Sequence, residues 1–255
     1  QLGDLASGYE VRLAYEALAW GKFVDDFERA QRIVDLADHP SVGTCLDSFH
    51  ILSRAWDPAP IEDIAAEKIF FVQLADAPLL SLDVLSWSRH HRVFPGQGDF
   101  DMVGFLSHLV RAGYDGPVSL EIFNDTFRQS NVARTAVDAM RSLRWLQDRT
   151  AARLADDGGV PGTMALHTLP AVAEPDGVDF VEIRTDEPED VAQVLAQLGF
   201  RFRGQHRRKP VQLWEQGGAR VVFNAQRARG GGPRVSALGL RVADPTASAA
   251  RARGG

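Results

Sequence analysis

Four short apolar runs, each interrupted by one oxygen-bearing side chain near its end, constrain this chain more than any other feature. They are Arg12–Leu18, Val42–His50, Ile69–Asp76 and Pro117–Phe123, and the interrupting residues are Glu16, Asp47, Gln73 and Glu121. Each run reads as a strand that is apolar on both faces, as in a parallel sheet covered by helices. A carboxylate inside such a run is costly to bury unless something pairs with it. Four oxygen donors near the ends of successive strands point to a hard divalent cation such as Mg²⁺ or Mn²⁺ as that partner. Strand parity agrees. Cys45 shares a face with Asp47, Phe71 with Gln73, and Ser119 with Glu121, leaving Leu46, Val72, Leu74, Leu120 and Ile122 to pack beneath helices.

The segments between the runs supply those helices. Gln1–Val11 reads as an entry connection, and Ala19-Trp20-Gly21 as a loop. Phe23, Phe27, Ala30, Ile33, Val34 and Ala37 follow at spacings of three and four, predicting a helix that His39-Pro40 ends. A short helix is expected over Ile61–Ala66, a long loop over 77–98, a helix opened by Asp99 or Asp101 and stopped at Gly113, and a closing helix over Val132–Leu154. Strand and helix alternating four times is the pattern of a parallel α/β fold, and ligands at the strand C-termini match the active face of a (β/α)₈ barrel. Such a barrel needs eight units and roughly 250 residues. The reading is therefore the C-terminal half of a barrel over residues 1–155, with the other half outside the chain or supplied from elsewhere. By itself this half is expected to pack loosely and to be inactive, since strands at both edges and an inward layer of side chains would lack partners.

A linker follows over residues 156–176, rich in glycine and proline. From 177 to 255 the pattern becomes β-α-β-β-β: strand Val178–Arg184, helix Pro188–Leu198 with Val191, Val194, Leu195 and Leu198 inward, then strands Phe200–Gly204, Val211–Glu215 and Ala219–Asn224. Gly217-Gly218 turns the last hairpin. Phe180–Pro188 is echoed by Ala237–Pro245, an apolar-Arg-x-x-Asp rhythm that predicts a second, incomplete copy of the module.

Composition narrows the function classes. The 255 residues carry a formal net charge of -6, which argues against nucleic acid as a partner. No apolar run can span a bilayer. The one cysteine, Cys45, excludes a disulfide framework within the chain and fits a reducing, cytoplasmic setting. A small molecule is the expected partner, and the reading leaves room for a homo-oligomer.

The stretches Leu46-Asp47-Ser48-Phe49-His50, Val72-Gln73-Leu74-Ala75-Asp76, Arg92-Val93-Phe94-Pro95-Gly96-Gln97-Gly98 and Leu120-Glu121-Ile122-Phe123 resemble the xylose-isomerase-like barrels, and most closely the bacterial two-domain 3-dehydroshikimate dehydratases. In that family the barrel is followed by a domain similar to 4-hydroxyphenylpyruvate dioxygenase, of the vicinal-oxygen-chelate type, built from βαβββ modules. The resemblance implies that Glu16, Asp47, Gln73 and Glu121 bind one divalent metal ion (Mg, Mn or Co). Gln73, where the wider superfamily more often has His, favours the dehydratase branch. Substrate contacts from His50, Ser88 and Arg92 are implied as well, with 3-dehydroshikimate as substrate and protocatechuate as product.

The residues suit that chemistry. A proton beside a ketone must leave and a hydroxyl must depart, which calls for metal polarisation and an acid/base group. His50, three residues past Asp47, is the first choice for proton transfer. Arg92 can clamp a carboxylate with two prongs, and Ser88 is a further hydrogen-bond donor. A ketose epimerase or sugar isomerase would use the same metal without dehydrating, and Pro95–Gly98 could then cradle a phosphate, although a tight turn is the plainer reading. An inactive fragment or binding module is the non-enzyme alternative. In residues 177–255 His206 is the one histidine, so the module is not expected to hold a two-His-one-carboxylate iron.

Overall fold

The computed structural model describes residues 1–159, 164–171, 174–225 and 232–254. Val160-Pro161-Gly162, within the expected linker, and Gly255 lie outside them. The chain divides into two compact units, residues 1–169 and 170–254.

The first unit runs α1 (Leu2–Gly8), β1 (Leu13–Glu16), α2 (Phe27–Ala37), β2 (Val42–Asp47), α3 (Ser48–Leu52), β3 (Ile69–Leu74), α4 (Val84–His90), α5 (Met102–Arg111), β4 (Val118–Leu120), α6 (Asp125–Arg128) and α7 (Val132–Asp156). Its four strands form one parallel sheet in chain order, β1-β2-β3-β4. Parallel neighbours require crossovers, and α2 supplies the first. Asp26 caps it through the Arg29 N–H, and Asp38 ends it in the left-handed region at φ 40°. The core lies on one face of the sheet, where Leu46, Val72 and Leu74 meet Phe105, Leu106 and Leu109 of α5 and Leu146 of α7, all fully or almost fully buried.

Several expectations shift. Gln1–Val11 contains α1 instead of being only a connection. Helix α2 starts at its cap, so Phe23 stays outside it and 76% exposed. The 77–98 stretch is not plain loop, because Asp83 caps α4 with two N–H bonds. The helix expected over Ile61–Ala66 is a 3₁₀ turn at Ala59–Asp63, opened by Pro58. Strand β1 is largely exposed, whereas β4, the other edge strand, is half-buried and the two central strands mostly buried.

The second unit runs β5 (Gly177–Arg184), α8 (Pro188–Gln197), β6 (Arg201–Gln205), β7 (Val211–Gln216), β8 (Ala219–Asn224), β9 (Arg234–Arg241) and α9 (Pro245–Gly254). The sheet order is β6-β7-β8-β5-β9, with β5 and β9 antiparallel. Helix α8 buries Val191 and Leu195 against Phe223. Val194 and Leu198, expected inward, are 53% and 61% exposed, since a ten-residue helix on one small sheet buries a narrow stripe. The echoed segment forms β9 followed by α9, reproducing the strand-to-helix step of β5 and α8.

Candidate functional site

Register brings the polar side chains together at the C-terminal end of the first sheet. Glu16 lies beside Cys45, Asp47 beside Gln73, and Gln73 beside Ser119. Glu121 sits one residue beyond β4, where its N–H still reaches the Leu74 carbonyl at 3.1 Å. One end of one parallel sheet thus carries all four donors, the end at which open α/β sheets place their ligands.

Asp47 ends β2 and opens α3. Its Oδ1 accepts the Phe49 N–H at 2.7 Å, leaving Oδ2 to accept from Arg92 Nη1 at 2.8 Å. The same Nη1 donates to Glu121 Oε2 at 3.0 Å. Arg92 is only 1% exposed, with its guanidinium over the Phe49 ring at 4.6 Å and the Phe123 ring at 5.3 Å. Ser88 on α4 is fully buried, and its hydroxyl accepts from Arg92 Nε at 3.2 Å and Nη2 at 2.9 Å. Gln73 Nε2 donates to Glu121 Oε1 at 2.8 Å, while Gln73 Oε1 accepts from the Cys45 thiol at 3.2 Å.

His50 is buried on α3, with the Trp20 ring edge-on at 4.9 Å. Its Nε2 lies 3.6 Å from both Glu16 Oε1 and Asp47 Oδ2. Its Nδ1 accepts the Ala19 backbone N–H at 3.2 Å. A neutral imidazole accepting at Nδ1 carries its proton on Nε2. That nitrogen therefore points a hydrogen, and no lone pair, at the two carboxylates.

Electrostatics explain why this cluster calls for a cation. Burial, with Asp47 and Glu121 close by, pushes the Glu16 carboxyl up to about 7. Burial also raises Asp47 and Glu121, and Arg92 offsets this only in part. Burial and the Arg92 charge push His50 down to about 3, keeping it neutral at ordinary pH. Burial beside three acids pushes the Cys45 thiol far up, so it is no nucleophile. Glu16, Asp47 and His50 place one donor atom each within 4.8 Å of one another, the one such grouping among the described residues. With Nδ1 taken up by the Ala19 N–H, Nε2 would have to lose its hydrogen before His50 could complete that set. What remains for a hard cation is Glu16 and Asp47, with Glu121 and Gln73 alongside.

All seven residues singled out in the sequence fall into this cluster. Arg92 is not a solvent-facing side chain, and Ser88 spends its oxygen on Arg92. Sequence reasoning gave no role to Ala19, to the Phe49 and Phe123 rings, or to Asp76. Only Asp76 left a trace, as a carboxylate closing an apolar run. The Pro95–Gly98 turn is already filled, since the Gly96 and Gly98 N–H groups both donate to Asp76 Oδ2, at 2.9 and 3.0 Å.

Residues 1–148 match the profile of the xylose isomerase-like TIM barrels. The chain belongs to that family. Residues 171–253, beyond this barrel-family segment, match the N-terminal region of hydroxyphenylpyruvate dioxygenase. The 3-dehydroshikimate dehydratase of Pseudomonas putida is 45% identical over 98% of this chain and 41% of its own length. A solved xylose isomerase-like TIM barrel/4-hydroxyphenylpyruvate dioxygenase fusion protein superposes with a TM-score of 0.91 at 44% identity, covering 99% of this chain and 42% of that one. The chain thus spans about two fifths of the length of both relatives. A structure of the IOLI protein with a bound zinc atom superposes with a TM-score of 0.53 at 27% identity, covering 59% of this chain and 53% of that one. Among the described residues no helix is long and apolar enough to cross a membrane.

Proposed function

We propose that this barrel-family segment carries the metal and acid/base site of a 3-dehydroshikimate dehydratase, a hydro-lyase that removes one water and leaves aromatic protocatechuate. The observation that carries the reading is the convergence of Glu16, Asp47, Glu121 and Gln73 at one sheet end. It occurs in a chain 45% identical, along nearly its whole length, to an enzyme of that name. In this proposal the four strands are the C-terminal half of an eight-stranded barrel, which the one-sided pairing of β1 and β4 supports.

Three carboxylates and an amide oxygen are hard donors that fit one divalent ion, Mg, Mn or Co. The zinc in the IOLI structure supports a divalent ion in this fold. When bound, such an ion supplies Lewis-acid polarisation of the substrate ketone and acidifies the neighbouring C–H. Gln73 would turn its Oε1 toward the ion by rotating about its terminal bond, because its Nε2 now faces Glu121. Arg92 binds the substrate carboxylate by exchanging its bonds to Asp47 and Glu121, both of which the ion would take over. Ser88 holds the other edge of the guanidinium and keeps the fork aimed. His50 presents Nε2–H to the departing hydroxyl as a hydrogen-bond donor, and the proton lost beside the ketone leaves with that hydroxyl as water.

In this proposal the partner is a small diffusible acid in the cytoplasm, with neither nucleic acid nor membrane involved; the net charge of -6 speaks against nucleic acid. An isomerase acting on a phosphorylated sugar is the weaker reading, because Asp76 already occupies the glycine turn such a phosphate would use. The test is to incubate the metal-loaded protein, its barrel complete, with 3-dehydroshikimate and follow aromatic ultraviolet absorption. Growth of the band, abolished by a chelator, is expected; its absence with metal bound refutes the activity.

A further inference from the structure

Asp76 is 1% exposed, and among the described residues no cationic side chain is bonded to it. Its carboxylate instead receives four backbone N–H groups: Ala77 at 2.8 Å and Phe100 at 3.1 Å on Oδ1, Gly96 at 2.9 Å and Gly98 at 3.0 Å on Oδ2. Such a ring of amides is an anion site, and here the anion is part of the chain. The glycines are needed for it. A Cβ on Gly98 would stand 2.4 Å from Asp76 Oδ1, and Gly96 has φ +85° with the Trp145 ring against its open side.

Two routes lead from Asp76 to Arg92, one through its backbone and one through its carboxylate. The Asp76 backbone pairs with Val93, N–H to carbonyl at 3.0 Å and carbonyl to N–H at 2.8 Å, fixing the residue next to Arg92. Phe100, held through its N–H, packs on Phe49 at 5.9 Å between centroids, and Phe49 is the ring beneath the guanidinium. The Pro95–Gly98 turn is thus not a ligand cradle. It is a mould that sets where Arg92 stands.

We propose that Asp76 is the positioning residue for Arg92, and that its amide ring becomes a site for a small carboxylate once its own side chain is cut back. This rests on the reading of Arg92 as the substrate-carboxylate clamp. Asp76→Ala leaves a gap the size of formate. In this variant KM for 3-dehydroshikimate should rise about tenfold, the scale seen when an outer supporting partner is lost, with kcat changed much less. Formate should lower KM again and raise Tm, against chloride at equal ionic strength, while wild type ignores it. Asp76→Asn fills the gap with one acceptor oxygen in place of two, so its KM should rise without any response to formate. It also serves if Asp76→Ala does not fold. A lowered Tm with unchanged KM in either variant, or formate-blind Asp76→Ala, overturns the proposal. Wild type inactive on 3-dehydroshikimate would overturn the functional reading instead, and a formate-dependent Tm in Asp76→Ala would still support the amide ring.

Discussion

Arg92 Nη1 lies 2.8 Å from Asp47 Oδ2, and both side chains are almost wholly inside the protein. The pair links the end of β2 to the segment after α4, and Glu121 shares the same nitrogen. If all three acids ionise, one guanidinium leaves two negative charges uncompensated. Removing the positive partner of a buried pair typically costs about 3–5 kcal/mol. Arg92→Met keeps the bulk and removes the charge. Its metal-free Tm should fall well below that of wild type. Manganese should then raise Tm more in the variant than in wild type, because the ion replaces the missing charge. Thermal unfolding with chelator and with Mn²⁺ checks this, and equal metal-induced shifts would show that Arg92 does not neutralise the cluster.

The raised Glu16 carboxyl gives a pH dependence with a definite sign. Its value in the folded protein is about 7, above its ordinary 4.5. Protonation therefore favours folding, and the stability it contributes is complete below 4.5 and lost as pH rises through about 7. From pH 8 down to 6.5 the metal-free protein should gain on the order of 0.5–1 kcal/mol, after allowance for a partly exposed group. That is roughly 1–3 °C in Tm. Below about 6.5 the unfolded chain's His50 takes a proton that the folded site resists, and the gain is opposed. Glu16→Gln should remove the slope, as should saturating Mn²⁺. A metal-free Tm that is flat or falling over this window would contradict the assignment.

Glu121 should matter to the metal in its own right. Glu121→Gln preserves size but removes one charge and leaves a single acceptor oxygen for both Gln73 Nε2 and Arg92 Nη1. Manganese affinity should drop by at least about tenfold, equivalent to about 1.4 kcal/mol. Titration calorimetry measures it. Full metal affinity together with full turnover would remove Glu121 from the site.

The strand ends were legible because a carboxylate in an apolar run has few explanations, and the face each side chain of β2, β3 and β4 takes follows from the two-residue alternation. The helical position of Ser88 was not, since α4 depends on the Asp83 cap within a stretch whose hydrophobic pattern is weak. Phe23 and Val194 were misplaced because periodicity marks an apolar stripe but not where a cap begins the helix or how wide a face the sheet can cover. The tautomer of His50 was beyond the sequence altogether, because it depends on one backbone N–H, that of Ala19, from a distant loop. The Gly96 and Gly98 turn was visible as a turn, yet its occupant lies twenty residues away or more.

His50 and Ala19 yield the sharpest test of the division of labour. If Nδ1 accepts from Ala19 N–H, the ring is neutral with its proton on Nε2, facing Glu16 and Asp47 at 3.6 Å. Such a ring can donate a hydrogen bond to a departing hydroxyl, but cannot ligate a cation through Nε2 without first losing that hydrogen. Two consequences follow. Nitrogen NMR of the metal-free protein should show an unprotonated Nδ1 and a protonated Nε2, unchanged from pH 8 to well below 6, since the folded ring titrates only near 3. His50→Ala should keep manganese affinity and lower kcat by about 10²–10³-fold, the range for a lost transition-state hydrogen-bond donor. If His50→Ala loses the metal, the ring is a ligand, the tautomer is the opposite one, and the donor to the departing hydroxyl must be sought among the remaining side chains of the cluster.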